Sequence, residues 1–177
     1  PRKRIKSHEV DDLLHKISQS KADIDETFKF ELRKFLENDD GKSIVMVNLL
    51  QLNDPKADSY RKLKSYSTPF LFRLFLRAGH PVFFSKALCP SLEYWGLEKG
   101  AESWDMAAAV RYRSRRDLIE MVLWPRFREL HPFKEEALKK TLAFPASPWV
   151  IVGAGVKTGV AFVLILIALL LTLAIYH

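Results

Sequence analysis

Hydrophobic positions recur along this chain with two different periods, and the alternation between them lays out its elements. Val10, Leu13, Leu14 and Ile17, then Ile24, Phe28, Leu32, Phe35 and Leu36, sit three and four residues apart, the spacing of one helix face. They predict two amphipathic helices, over 9–20 and 24–37, with Asp23 and Glu26 placed as a capping box and Asn38-Asp39-Asp40-Gly41 as the closing turn. Both are rich in Asp and Glu, so they are expected to cover a main domain rather than lie on a membrane surface. The run 43–50, Ser-Ile-Val-Met-Val-Asn-Leu-Leu, then reads as a buried strand. A helix is expected over 57–78, kinked at Pro69 and closed by Gly79.

Further on, 81–86 and 104–112 read as strands around a Gly- and Pro-bearing loop over 88–103. Ser114, with Asp117 three residues later, starts a helix running to Pro125. Another helix is expected over 132–141, and 142–145 is a short extended piece. The order β-α-β, then β-α-β, is that of the split β-α-β arrangement, an antiparallel sheet with helices on one face. Its other face needs a partner, so a homodimer or larger oligomer is expected. The chain thus divides into a helical extension over 1–41, an α+β domain over 42–146 and a hydrophobic segment over 149–176.

That last segment changes the picture. Residues 159–175 are apolar or small except for Thr172, and the run extends back through Val150, Ile151 and Val152 to Trp149. About 20 such residues cross a bilayer core, so a single transmembrane helix is expected. Lys and Arg precede it and only Tyr176 and His177 follow, which places the domain on the cytoplasmic side of the inner membrane as a single-pass protein. Gly155 and Gly159 are spaced as a helix-packing motif. Lys157 either snorkels to the headgroups or pairs with an acidic group on a partner helix.

Composition adds less. The balance of 28 Lys and Arg against 21 Asp and Glu gives a net charge of +7. Arg111, Arg113, Arg115, Arg116, Arg126 and Arg128 form its densest basic stretch, with Trp124 and Phe127 interleaved. No nucleic-acid recognition motif accompanies them, so lipid headgroups or an acidic partner surface are the expected contacts rather than nucleic acid. One cysteine, Cys89, excludes an internal disulfide. His8, His15, His80, His131 and His177 show no metal-ligand spacing. No metal and no cofactor is expected.

The segment Ile44-Val45-Met46-Val47-Asn48-Leu49-Leu50, the paired Tyr60 and Tyr66, Gly79 with the following Val82-Phe83-Phe84, and the block Val110-Arg111-Tyr112-Arg113-Ser114-Arg115 resemble the dimeric α/β-barrel superfamily. Among its members, the small bacterial proteins of unassigned function are the most similar. The resemblance covers 43–144 and implies a ferredoxin-like dimeric α/β barrel. The superfamily includes monooxygenases, isomerases, haem proteins and plain ligand binders, so the resemblance leaves function open. The two N-terminal helices, the weak fourth strand and the hydrophobic C-terminal helix depart from it.

The first and third strands of such a sheet are central neighbours. Asn48 and Arg111 are therefore expected to face one cavity, with Tyr60 and Tyr66 on the helix above it and Tyr112 beside them. An arginine and phenols suit an anionic or quinone-like ligand, and Asn48 suits a carbonyl. The competing reading puts Arg111 in an ion pair at a dimer interface and the tyrosines in the core. The functional expectation is a membrane-anchored accessory or scaffolding subunit that oligomerises through its barrel domain and docks on an integral-membrane complex. The alternative is a monooxygenase- or isomerase-like enzyme acting on a lipophilic small molecule.

Overall fold

Strands β1 (Ile44–Leu52), β2 (His80–Lys86), β3 (Met106–Tyr112) and β4 (Leu138–Ala146) make a four-stranded antiparallel sheet in the order β2-β3-β1-β4. The computed structural model describes residues 4–20, 25–148 and 156–176. Helix α3 (Lys56–Leu76) carries the chain from β1 to β2 across the intervening β3, while α4 (Arg115–Val122) and α5 (Pro125–Ala137) carry it from β3 to β4. This is the strand order of the split β-α-β arrangement. The N-terminal helices are α1 (Ser7–Ser20) and α2 (Glu26–Glu37).

Side chains on a strand alternate between faces, and here the alternation divides polar from apolar roles. Ile44, on the helix face, joins Phe70, Leu74, Val110, Tyr112, Leu118 and Met121 in one buried cluster. Leu50 and Leu52 join Ala137 and Leu138 in a second. Ile5, Val10, Ile17 and Leu36 bury themselves with Ile119 of α4, so α1 and α2 cover the α4 side of the domain, as their acidic outer faces implied.

Several boundaries move. Asp23 lies outside the described residues, and the cap of α2 is Asp25, whose carboxylate accepts from the Phe28 N–H at 2.6 Å. The helix expected to start at Pro132 starts one turn and more earlier, at Pro125, and Pro132 lies inside it. The short extended piece 142–145 is the end of a full strand, β4, paired along β1. The third strand begins at Met106 rather than Trp104. At the end of α3 the left-handed residue is Ala78, with φ 55°. The Ala78 and Gly79 N–H groups donate to Phe75 and Leu74 carbonyls at 2.9 and 3.0 Å, a Schellman closure. Gly79 is required for a different reason: a Cβ there would lie 2.4 Å from Leu74 Cδ1 and 2.8 Å from the Arg111 carbonyl oxygen.

The expected transmembrane helix is corrected. Among the described residues no helix is long and apolar enough to cross a membrane. Helix α6 (Val156–Tyr176) belongs to a separate compact unit, 148–177. The single-pass inner-membrane localisation rested on that span and falls with it. Gly155, the Lys157 side chain and the surroundings of Gly159 lie outside what is described. The fold class is α+β with a four-stranded antiparallel sheet and, among the described residues, six helices.

Candidate functional site

A cavity of about 440 Å³ opens between the helix face of the sheet and helices α3, α4 and α5. Its floor comes from alternate residues of the central strands, Met46, Asn48 and Leu50 on β1 and Met106, Ala108, Val110 and Tyr112 on β3. Ala108 stands opposite both Asn48 and Phe84 in the sheet registers. An alanine at the middle of a sheet face leaves space that a larger side chain would fill.

Helix α3 supplies Tyr60, Leu63, Lys64, Tyr66, Ser67, Phe70 and Leu71. Leu118, Met121 and Val122 come from α4, and Phe127, His131 and Lys134 from α5. The α5 residues are spaced by four and three, one face of a helix. Both α3 and α5 are held at this separation by the Lys62–Glu136 ion pair at 2.9 Å and by aromatic packing. Tyr66 stacks on Phe70 with centroids 5.4 Å apart and meets Phe127 and His131 edge-on, each at 6.4 Å.

The lining is apolar with a few polar groups, two of them lysines. Lys64, His131 and Lys134 line the cavity and no aspartate or glutamate does. The Lys134 ammonium lies 5.8 Å from the Tyr66 ring centroid, a cation–π contact. Burial lowers its pKa below the ordinary lysine value, because a desolvated cation is disfavoured. Burial pushes the Tyr66 and Tyr112 phenols well above the ordinary tyrosine range, and Tyr66 adds to the effect at Tyr112. Both therefore stay protonated donors at neutral pH. Asn48 donates from its amide to the Met46 carbonyl at 3.1 Å.

Of the residues singled out in the sequence, Asn48, Tyr60, Tyr66 and Tyr112 line this cavity and Arg111 does not. Arg111 pairs in register with Val45 and His80, whereas Asn48 pairs with Ala108. An odd separation in register puts Asn48 and Arg111 on opposite faces of the sheet. The cationic group is supplied instead by Lys134, which the sequence pattern does not single out. Its spacing from Phe127 and His131 would have revealed it had the helix been started at Pro125.

The basic stretch is largely taken up inside the domain. Arg113 forms a fork on Asp117 with two bonds of 3.0 Å, and Arg116 bonds Glu9 at 2.7 Å. Cys89 is a free, exposed thiol, and among the described residues no cluster of His, Cys, Asp and Glu could hold a metal.

Two features together define the class: an α+β domain on a split β-α-β antiparallel sheet, and an apolar, cation-bearing cavity between sheet and helices. Known proteins agree with the fold. The chain is similar to the RPA0582 protein of unknown function from Rhodopseudomonas palustris, with a TM-score of 0.52 and 22% identity over 73% of this chain and 97% of that one. The methylated RPA0582 protein gives the same TM-score at 21% identity, over 75% of this chain and 98% of its own. No family model matches the chain, and no curated protein matches it in sequence.

Proposed function

We propose that the chain is a small-molecule-binding protein of the dimeric α/β-barrel kind, which takes a lipophilic ligand into the cavity beneath α3 and α5. The observation that carries this reading is the cavity itself. Its roughly 440 Å³ falls in the range of ligand sites, and a mostly apolar lining with a few polar groups is their usual chemistry. An isomerase- or monooxygenase-like activity on the bound molecule is the chemical extension of that reading.

The second face of the sheet favours assembly as well. Phe83, Leu142 and Phe144 are on that face and about half exposed, more apolar surface than a monomer ordinarily leaves bare on one sheet. A second copy packed sheet to sheet would cover it. An accessory-subunit role would use the same face without any ligand, and the cavity separates the two readings.

The test is binding of a neutral, environment-sensitive probe, N-phenyl-1-naphthylamine, to the full chain and to Ala108→Leu, which fills the floor of the cavity. Saturable binding at one probe per chain, lost in Ala108→Leu while the melting temperature holds, is expected. Absence of saturable binding in the unmodified protein would overturn the ligand-binding reading and leave the accessory role.

A further inference from the structure

We infer that the ligand of this cavity is an amphiphilic organic acid whose carboxylate is held by the Lys134 ammonium and the hydroxyls of Tyr66 and Tyr112. The inference rests on the ligand-binding reading above and goes further by naming the head group. Three observations carry it.

The first is an imbalance of charge. Lys134 lines a mostly apolar cavity whose lining holds one other lysine, Lys64, and no carboxylate. Buried or half-buried cations in proteins are ordinarily paired, because the uncompensated charge is costly. The Lys134 ammonium instead meets an aromatic face, that of Tyr66, which is a weak substitute for a counter-ion. An anionic head group supplies the missing partner.

The second is a pair of donors. Tyr112 is 4% exposed, lines the cavity, and its hydroxyl has no hydrogen-bond partner among the described residues. Tyr66 lines the same cavity and is likewise without one. Neither hydroxyl is among the fully buried atoms that lack a partner, so both are accessible to a bound molecule, and as protonated phenols each can donate to an oxygen acceptor. Two O–H donors and an ammonium match the two oxygens of one carboxylate.

The third is the remainder of the lining. Leu63, Phe70, Val110, Met121 and Val122 present apolar side chains to the cavity. Inorganic anions would leave that surface unused, while a neutral lipophile would leave Lys134 unpaired. An acid with an apolar body uses both. When it binds, the ion pair favours the charged form of Lys134 that burial had disfavoured.

The experiment displaces the neutral naphthylamine probe from the full chain with two matched pairs: 2-naphthoate against 2-naphthalenemethanol, and decanoate against decanol. Each acid is expected to compete at a concentration roughly tenfold or more below that of its alcohol, the scale of a charge-assisted hydrogen bond. In Lys134→Met, which keeps the stem and removes the charge, acid and alcohol should compete within about threefold of one another, at a melting temperature no lower than the parent's. Lys134→Arg should restore the preference for the acid. Equal competition by acid and alcohol in the unmodified protein would overturn the head-group assignment while leaving the cavity intact. So would an acid preference that survives Lys134→Met, or failure of all four compounds to displace a bound probe. If the probe itself never binds, both readings fall together.

Discussion

Arg111 and Tyr112, neighbours in the chain, lie on opposite faces of the sheet. Tyr112 is buried in the cavity wall, and Arg111 stands in register with Val45 on the far side. The two polar groups that look like one site in sequence therefore serve two surfaces. Arg111→Met should leave affinity for the naphthylamine probe within about twofold of the parent, the scatter expected of a distant, uncoupled site. Met46→Trp, on the cavity floor, should abolish it. Equilibrium titration decides, and loss of binding in Arg111→Met would place the ligand on the wrong face.

The far face carries the assembly prediction. Phe144→Asp puts a charge among Val47 of β1 and the exposed apolar side chains beside it. A desolvated carboxylate at a sheet-to-sheet interface is strongly unfavourable. Light scattering after size exclusion should show the parent chain as a dimer or larger and Phe144→Asp as a monomer with unchanged probe binding. A monomeric parent would exclude the barrel dimer.

The end of α3 offers a paired stability test. Gly79→Ala drives a methyl group against Leu74 and the Arg111 carbonyl and should cost about 2–3 kcal/mol, the range for overpacking a close contact. Ala78→Gly relieves a left-handed alanine at φ 55° and should gain about 0.5–1 kcal/mol. Urea denaturation of the two variants should give shifts of opposite sign.

Acid should weaken the domain through Asp117. Its side chain is 4% exposed. Burial tends to raise its pKa, but bonds from Arg113 and Ser114, together with the Arg113 and Arg77 charges, prevail and hold it below the ordinary aspartate value of 3.8. Ser114 Oγ donates to it at 2.7 Å and Arg77 at 3.3 Å. A carboxyl whose folded pKa is depressed stabilises fully above its unfolded pKa and loses that contribution as pH falls through the folded value. Stability should therefore fall below about pH 4. Asp117→Asn should cost about 2–4 kcal/mol at neutral pH and flatten that part of the profile. Melting curves from pH 7 to pH 2 measure both effects.

Much of the architecture was legible along the chain because period and punctuation are local. Apolar positions at helical spacing placed α1, α2 and α3, the β-rich run at 43–50 placed β1, and Ser114 capped α4, accepting from the Asp117 N–H. Proline misled where two prolines compete for one helix start: Pro125 is the first residue of α5, and Pro132 sits inside it. The lost hydrogen bond at Pro132 is offset by packing against α3, which no local pattern records.

The membrane reading rested on hydropathy counted from residue 149 onward, whereas among the described residues no helix is long and apolar enough to cross a membrane.

The sequence by itself determined the order of elements, the residue types able to make a polar cluster and the small residues at the sheet centre. Tertiary structure alone decided which of those groups meet. Strand register set the face on which each side chain stands, since a shift of one position exchanges faces, and so separated Arg111 from Asn48. The packing of α5 beside α3 then brought Lys134 over Tyr66, across a separation in sequence that only the fold closes.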